Sequence, residues 1–121
     1  MFNKEKFHEI RDLIKKNHKK SQIIAISKNH PKESVLEAIK SGVNIFGENK
    51  VLEAKNKFTE LRELHPNIEL HLTGPVQSNK VKLASLIFDV FHTLDREKIA
   101  KEFNKYREEI KYKKFFIQVN I

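Results

Sequence analysis

Five short apolar runs punctuate the chain: "QIIAIS" (22 to 27), "VNIFG" (43 to 47), "ELHLTG" (69 to 74), "FDVFHTL" (88 to 94) and "KFFIQVNI" (114 to 121). Between them lie segments whose apolar residues recur at helical spacing. No other feature limits the fold as much. Strands apolar on both faces belong to a parallel sheet covered by helices, and short connections make each helix cross back over that sheet.

The intervening helices read as follows. Phe7, Ile10 and Ile14 share one face of a leading helix over 3 to 19, whose basic end suits the helix dipole. Pro31 fits the first turn of a second helix, with Val35, Ala38 and Ile39 inward and Gly42 closing it. Residues 48 to 64 set Val51, Ala54, Phe58 and Leu61 on one face, and "HPN" (65 to 67) breaks the pattern. A fourth helix spans about 77 to 86. Asp95 can cap a fifth, with Ile99, Phe103, Tyr106 and Ile110 inward.

Right-handed crossovers leave two architectures, a doubly wound open sheet and a segment of an eight-stranded β/α barrel. A doubly wound nucleotide fold prefers a glycine-rich turn after its first strand. "SKNHP" offers none, and the whole chain holds three glycines. The barrel reading gains: the expected fold class is α/β, an incomplete TIM-type barrel of about five strands with a leading helix.

Composition narrows the function classes. The 121 residues, 39% hydrophobic and 33% charged, suit one globular domain. No apolar run approaches a membrane span, and "MFNKEKFHEIRDLIKK" places charges where a signal peptide needs an apolar core, so the expected location is cytoplasmic. The lack of cysteine excludes disulfides and thiolate metal sites. The net charge of +8 favours phosphates in general, but it is lysine spread over every helix, the pattern of a solvated surface. A nucleic-acid module would interleave basic residues with exposed aromatics, and most of the nine Phe fall on expected inner faces and strands. The six histidines form no helical pair at ligand spacing; His71 and His92 lie on adjacent expected strands and could meet.

In either architecture ligands bind beyond the carboxyl ends of the strands. The residues there are Ser27 and Lys28, then Glu48 and Asn49, then Thr73 and "GPVQSNK", then His92 to Asp95, then Gln118 and Asn120. "GPVQSNK" lacks P-loop spacing and reads as a strand-to-helix turn. Lys28 stands out. A free lysine amine adds to an aldehyde to give a Schiff base, which arginine cannot do. Burial against apolar strand neighbours, together with the positive end of the helix near Pro31, would favour the free amine. The plain alternative is a lysine leaving the barrel mouth for solvent.

The segments "IAISKNHP" (24 to 31), "FGENKVLEA" (46 to 54), "HLTGPVQSNK" (71 to 80), "FHTLDREKIA" (91 to 100) and "FIQVN" (116 to 120) resemble, in order and spacing, the pyridoxal phosphate homeostasis protein family. That family is similar in fold to the N-terminal barrel domain of alanine racemase. Five collinear motifs over nearly the whole chain make the likeness specific.

The resemblance implies that Lys28 holds pyridoxal 5'-phosphate as a Schiff base and that Asn49, in "GEN", lies beside the cofactor ring. His71, Thr93 and Asn120 match strand positions lining the barrel interior. Position 30 is His where many relatives have a second lysine. The implied function is vitamin B6 homeostasis by a carrier rather than an enzyme, with pyridoxal-phosphate-dependent enzymes as possible recipients. A racemase, the alternative, needs a base on each face of the substrate α-carbon; Lys28 supplies one, and Tyr106 and Tyr112 sit in or just after the last helix.

A complete barrel needs about 250 residues and eight strands, so the chain reads as the N-terminal part, residues 1 to 121, of a β/α barrel domain. In the family the later part supplies the glycine-rich phosphate grip and an arginine at the pyridine nitrogen. Without them, cofactor binding weaker than in a complete relative is expected. Open strand edges and an uncovered inner face also imply self-association.

Overall fold

The computed structural model describes residues 1–17 and 20–121. Its elements are α1 (Lys4–Lys16), β1 (Ala25–Ile26), α2 (Lys32–Lys40), β2 (Ile45–Glu48), α3 (Val51–Leu64), β3 (Glu69–Leu72), a 3-10 turn (Ser78–Lys80), α4 (Val81–Ile87), β4 (Val90–Leu94), α5 (Glu97–Asn104), α6 (Arg107–Ile110) and β5 (Lys114–Ile117).

All four strand pairings are parallel, and the spatial order β1-β2-β3-β4-β5 is the chain order. A doubly wound sheet reverses its strand order at a switch point. This sheet never does, so the expected architecture holds: α/β, a parallel five-stranded segment of TIM-like barrel type.

Side chains alternate across each strand. Phe46, Leu70, Leu72, Phe91 and Phe115 face the helices and join Val35, Ala54, Phe58, Leu61, Val81, Ile99 and Phe103 in one core. Among the described residues, no helix covers the other face. Ile26 is 49% exposed there and Phe116 54%, as expected for a barrel wall without its opposite half.

Local chemistry sets the element ends. Asn3 caps α1 by accepting the Lys6 N–H at 2.9 Å. Gly42 follows the α2 cap with φ +105°, the left-handed backbone that closes a helix. Several expectations are corrected. Pro31 is the N-cap of α2 rather than a first-turn residue. Helix α1 buries none of its residues: Ile10 is exposed, and Phe7 packs against the core while only partly buried. The expected end of α1 at 18 and 19 lies outside the described residues.

Asp95 does not cap α5. The cap position is Arg96, and the Asp95 carboxylate instead accepts from the Arg96 guanidinium at 3.1 Å. The fifth helix also breaks at Lys105 and Tyr106 into α5 and α6. Strand β1 is paired over two residues only, where 22 to 27 were expected.

Candidate functional site

Ile26 of β1 pairs in register with Gly47 of β2. Lys28 and Asn49 each come two residues after that pair, so both candidate residues follow the carboxyl ends of neighbouring strands. Gly47 leaves room for its neighbours' side chains: a Cβ there would lie 2.7 Å from Ile26 Cδ1 and 3.2 Å from Thr73 Cγ2. Gly74, after β3, does the same for Asn49, since a Cβ on it would meet Asn49 Cβ at 2.6 Å. Asn49 is half-buried and lines, with Lys50, Pro75, Gln77 and Arg96, a cleft of about 440 Å³.

Lys28 itself is exposed. The expectation that apolar strand neighbours bury it is therefore corrected: β1 has ended by Ile26, and residues 28 and 29 form a turn that lifts the side chain off the sheet. The backbone around it is fixed instead by a buried ionic cluster.

Glu48, the last residue of β2, is fully buried and faces α3. It accepts from the Ser27 hydroxyl and from the Lys57 ammonium, the latter at 2.9 Å. Lys57 is itself buried and donates further to the Ser27 carbonyl at 2.6 Å and to Glu53 at 3.1 Å. Glu53 in turn accepts the Asn29 N–H at 2.7 Å. That backbone bond, aided by Lys57, holds the Glu53 carboxyl below its usual range against the opposing effect of burial. Asn29 has φ +63°, a left-handed conformation that asparagine tolerates better than most residues.

Sequence reasoning missed Lys57 and Glu53. The signal was present: Lys57 sits beside Phe58 on the stripe formed by Ala54 and Leu61, and Glu53 lies one helical turn before it.

On the inner face a second polar group forms. His71 Nδ1 of β3 lies 2.9 Å from His92 Nε2 of β4, and His71 Nε2 lies 2.9 Å from a Glu69 oxygen. The Phe116 ring stacks on His92 with centroids 4.9 Å apart. The anticipated meeting of the two histidines is thus seen. Thr93 is buried with its hydroxyl unpartnered, and Asn120 is exposed beyond β5, so neither is gathered with Lys28 and Asn49.

Burial, with His71 adding repulsion, holds His92 below the ordinary imidazole value of 6.5. A group that binds its proton less readily when folded lowers stability as pH falls through the unfolded value. Urea midpoints should therefore fall between about pH 7.5 and about pH 5.5, and His92→Gln should flatten that segment of the profile. An unaltered slope in the variant assigns the effect elsewhere.

No family model matches the chain. Curated relatives do. The chain is 45% identical over 102 residues to the pyridoxal phosphate homeostasis protein of Vibrio alginolyticus, covering 82% of this chain and 44% of that one. It is 44% identical over 117 residues to the protein of the same name from Buchnera aphidicola subsp. Schizaphis graminum, covering 93% and 51%. A solved structure of PipY of Synechococcus elongatus PCC7942, with PLP bound, superposes with a TM-score of 0.75 at 35% identity, over 88% of this chain and 48% of that one.

The chain is a homologue of the pyridoxal phosphate homeostasis proteins.

It spans about half the length of the curated relatives it matches. Identity at this level over most of the chain carries the resemblance read from the five motifs, and the superposition carries the barrel-type fold. Among the described residues, no helix is long and apolar enough to cross a membrane.

Proposed function

We propose that this chain is the N-terminal part of a pyridoxal 5'-phosphate carrier of vitamin B6 homeostasis, with Lys28 as the amine that captures the cofactor and Asn49 beside its ring. The supporting observation is geometric: a lysine held by a fixed backbone turn follows the carboxyl end of β1, and Asn49 follows that of the neighbouring β2, in a fold shared with a protein solved with PLP bound. The chemistry of the residues fits the group. The cofactor supplies an aldehyde, which condenses with a primary amine and releases water. Lys28 offers that amine on the accessible side of the turn, and Asn49 offers an amide for a ring substituent.

Carrier function suits the residues better than catalysis. Racemisation needs a second base opposite Lys28. Tyr106 is the residue before α6 and Tyr112 follows that helix, so neither belongs to a strand end. A nucleic-acid module finds little support either, because Phe46, Phe58, Phe88, Phe91 and Phe103 are all core residues. The carrier acts in the cytoplasm and releases its cofactor to dependent enzymes. The chain self-associates through the open edges of β1 and β5 and the uncovered face bearing Ile26 and Phe116.

Incubation with pyridoxal 5'-phosphate, borohydride reduction and peptide mapping test the assignment. The label should fall on Lys28 and vanish in Lys28→Ala. Labelling scattered over the surface lysines overturns it. On gel filtration the yellow cofactor should leave this chain sooner than a full-length relative; equally tight retention contradicts the weakened phosphate grip.

A further inference from the structure

The ionic cluster behind the turn is arranged around one residue. Lys57 holds the carbonyl of Ser27, the residue before Lys28, and Glu53 holds the N–H of Asn29, the residue after it. Ser27 is further tied through its N–H to the Gly47 carbonyl at 3.0 Å and through its hydroxyl to Glu48. Its carbonyl also accepts the His30 N–H at 3.0 Å. Both peptide units flanking Lys28 are thus anchored, while the Lys28 side chain itself is exposed.

A structural role alone gives no reason to bury a lysine here. Desolvating an ammonium and a carboxylate costs several kcal/mol per ion, and an apolar pair of similar volume in that stripe would pack at least as well. What an apolar pair could not do is grip two peptide groups whose direction sets the Cα–Cβ bond of Lys28. The left-handed Asn29, which an unanchored turn would relax, points the same way.

We propose that Glu48, Lys57 and Glu53 form a positioning clamp that aims Lys28 at its aldehyde, so that selectivity for this lysine over the other surface lysines comes from a fixed backbone direction. The proposal deepens the carrier reading and depends on Lys28 being the capturing amine. Glu53 and Lys57 are positioning residues: each acts through the backbone of Ser27 or Asn29. Fixing the turn in advance removes the backbone share of the entropy that would otherwise be lost on each capture.

Glu53 is the residue to change, because it is partly exposed and its loss leaves the core intact. Glu53→Gln keeps an oxygen for the Asn29 N–H; Glu53→Ala does not. With pyridoxal 5'-phosphate as probe, the ratio of borohydride-fixed label at Lys28 to label at exposed Lys98 should fall about tenfold in Glu53→Ala, the size expected for a lost charged hydrogen bond. It should stay within about twofold of the unaltered chain in Glu53→Gln. Circular dichroism induced in the bound chromophore, which reports a fixed orientation, should fall in parallel. Amide exchange at Asn29, read without cofactor, should accelerate in Glu53→Ala alone. Selective labelling and slow Asn29 exchange that both survive Glu53→Ala overturn the clamp while leaving Lys28 as the site. Indiscriminate labelling of the unaltered chain removes the carrier reading and the clamp's purpose together.

Discussion

Phe91→Ala should cost about 3–5 kcal/mol, the usual penalty for emptying a buried aromatic site. Phe91 is fully buried on the helix side of β4, with its ring stacked on Phe115 at 4.6 Å and edge-on to Phe103 at 5.0 Å. One side chain therefore welds β4 to β5 and to α5. The neighbouring strands offer no side chain able to slide into the space, because Leu72 and Phe88 already fill their own sites at full burial. A domain of this size has about 5–15 kcal/mol in all, so the variant should lose much of its stability, with a fall in Tm of order 10 °C or more. Urea titration followed by far-ultraviolet circular dichroism gives the value. Phe116→Ala is the control: it stacks on His92 across the open face, half exposed, and should cost less than about 1 kcal/mol. Equal losses at the two positions would mean that the open face is covered in solution, by self-association or otherwise.

The alternation of elements was legible because two periods are written into the chain without conflict. Val51, Ala54, Phe58 and Leu61 repeat at helical spacing and are all buried in α3. The strand runs are rich in apolar residues, and Phe46, Leu70 and Phe91 take the helix side, while the inner face also carries His71 and His92. Ends were less legible, since capping depends on which hydrogen bonds form. Asp95 is a good cap by type, yet the adjacent Arg96 guanidinium takes its carboxylate, and α5 starts without a side-chain cap. The break between α5 and α6 has no glycine or proline to announce it.

At the candidate site, the strand-end rule put Lys28 and Asn49 just past the ends of two neighbouring strands, and each follows by two residues the Ile26–Gly47 pair that joins β1 to β2. Local apolar character misled on burial, because "IIAI" paired over two residues and released the chain before Lys28. The clamp was hidden for a different reason. Glu48, Glu53 and Lys57 read singly as ordinary charges, and only the fold brings the end of β2, the first two turns of α3 and the Ser27–Asn29 turn to one point.

The second large effect belongs to that cluster. Lys57→Met should destabilise by about 3–5 kcal/mol, since it leaves Glu48 as a buried carboxylate without its cation. The penalty falls on Glu48 in particular: it is fully buried, one of its oxygens already lacks a partner, and the Ser27 hydroxyl alone would remain to the other. Glu48→Gln in the same chain removes the stranded charge and should recover most of the loss, because a neutral amide can still bond Ser27. The double-variant cycle should then show a coupling of about 1–3 kcal/mol between positions 48 and 57. Additive losses would mean that Lys57 contributes through packing of its stem and not through its charge. The doubly neutral chain separates the two consequences of the cluster: if folding returns while selective capture at Lys28 does not, the buried ions serve the aim of that lysine more than the stability of the sheet.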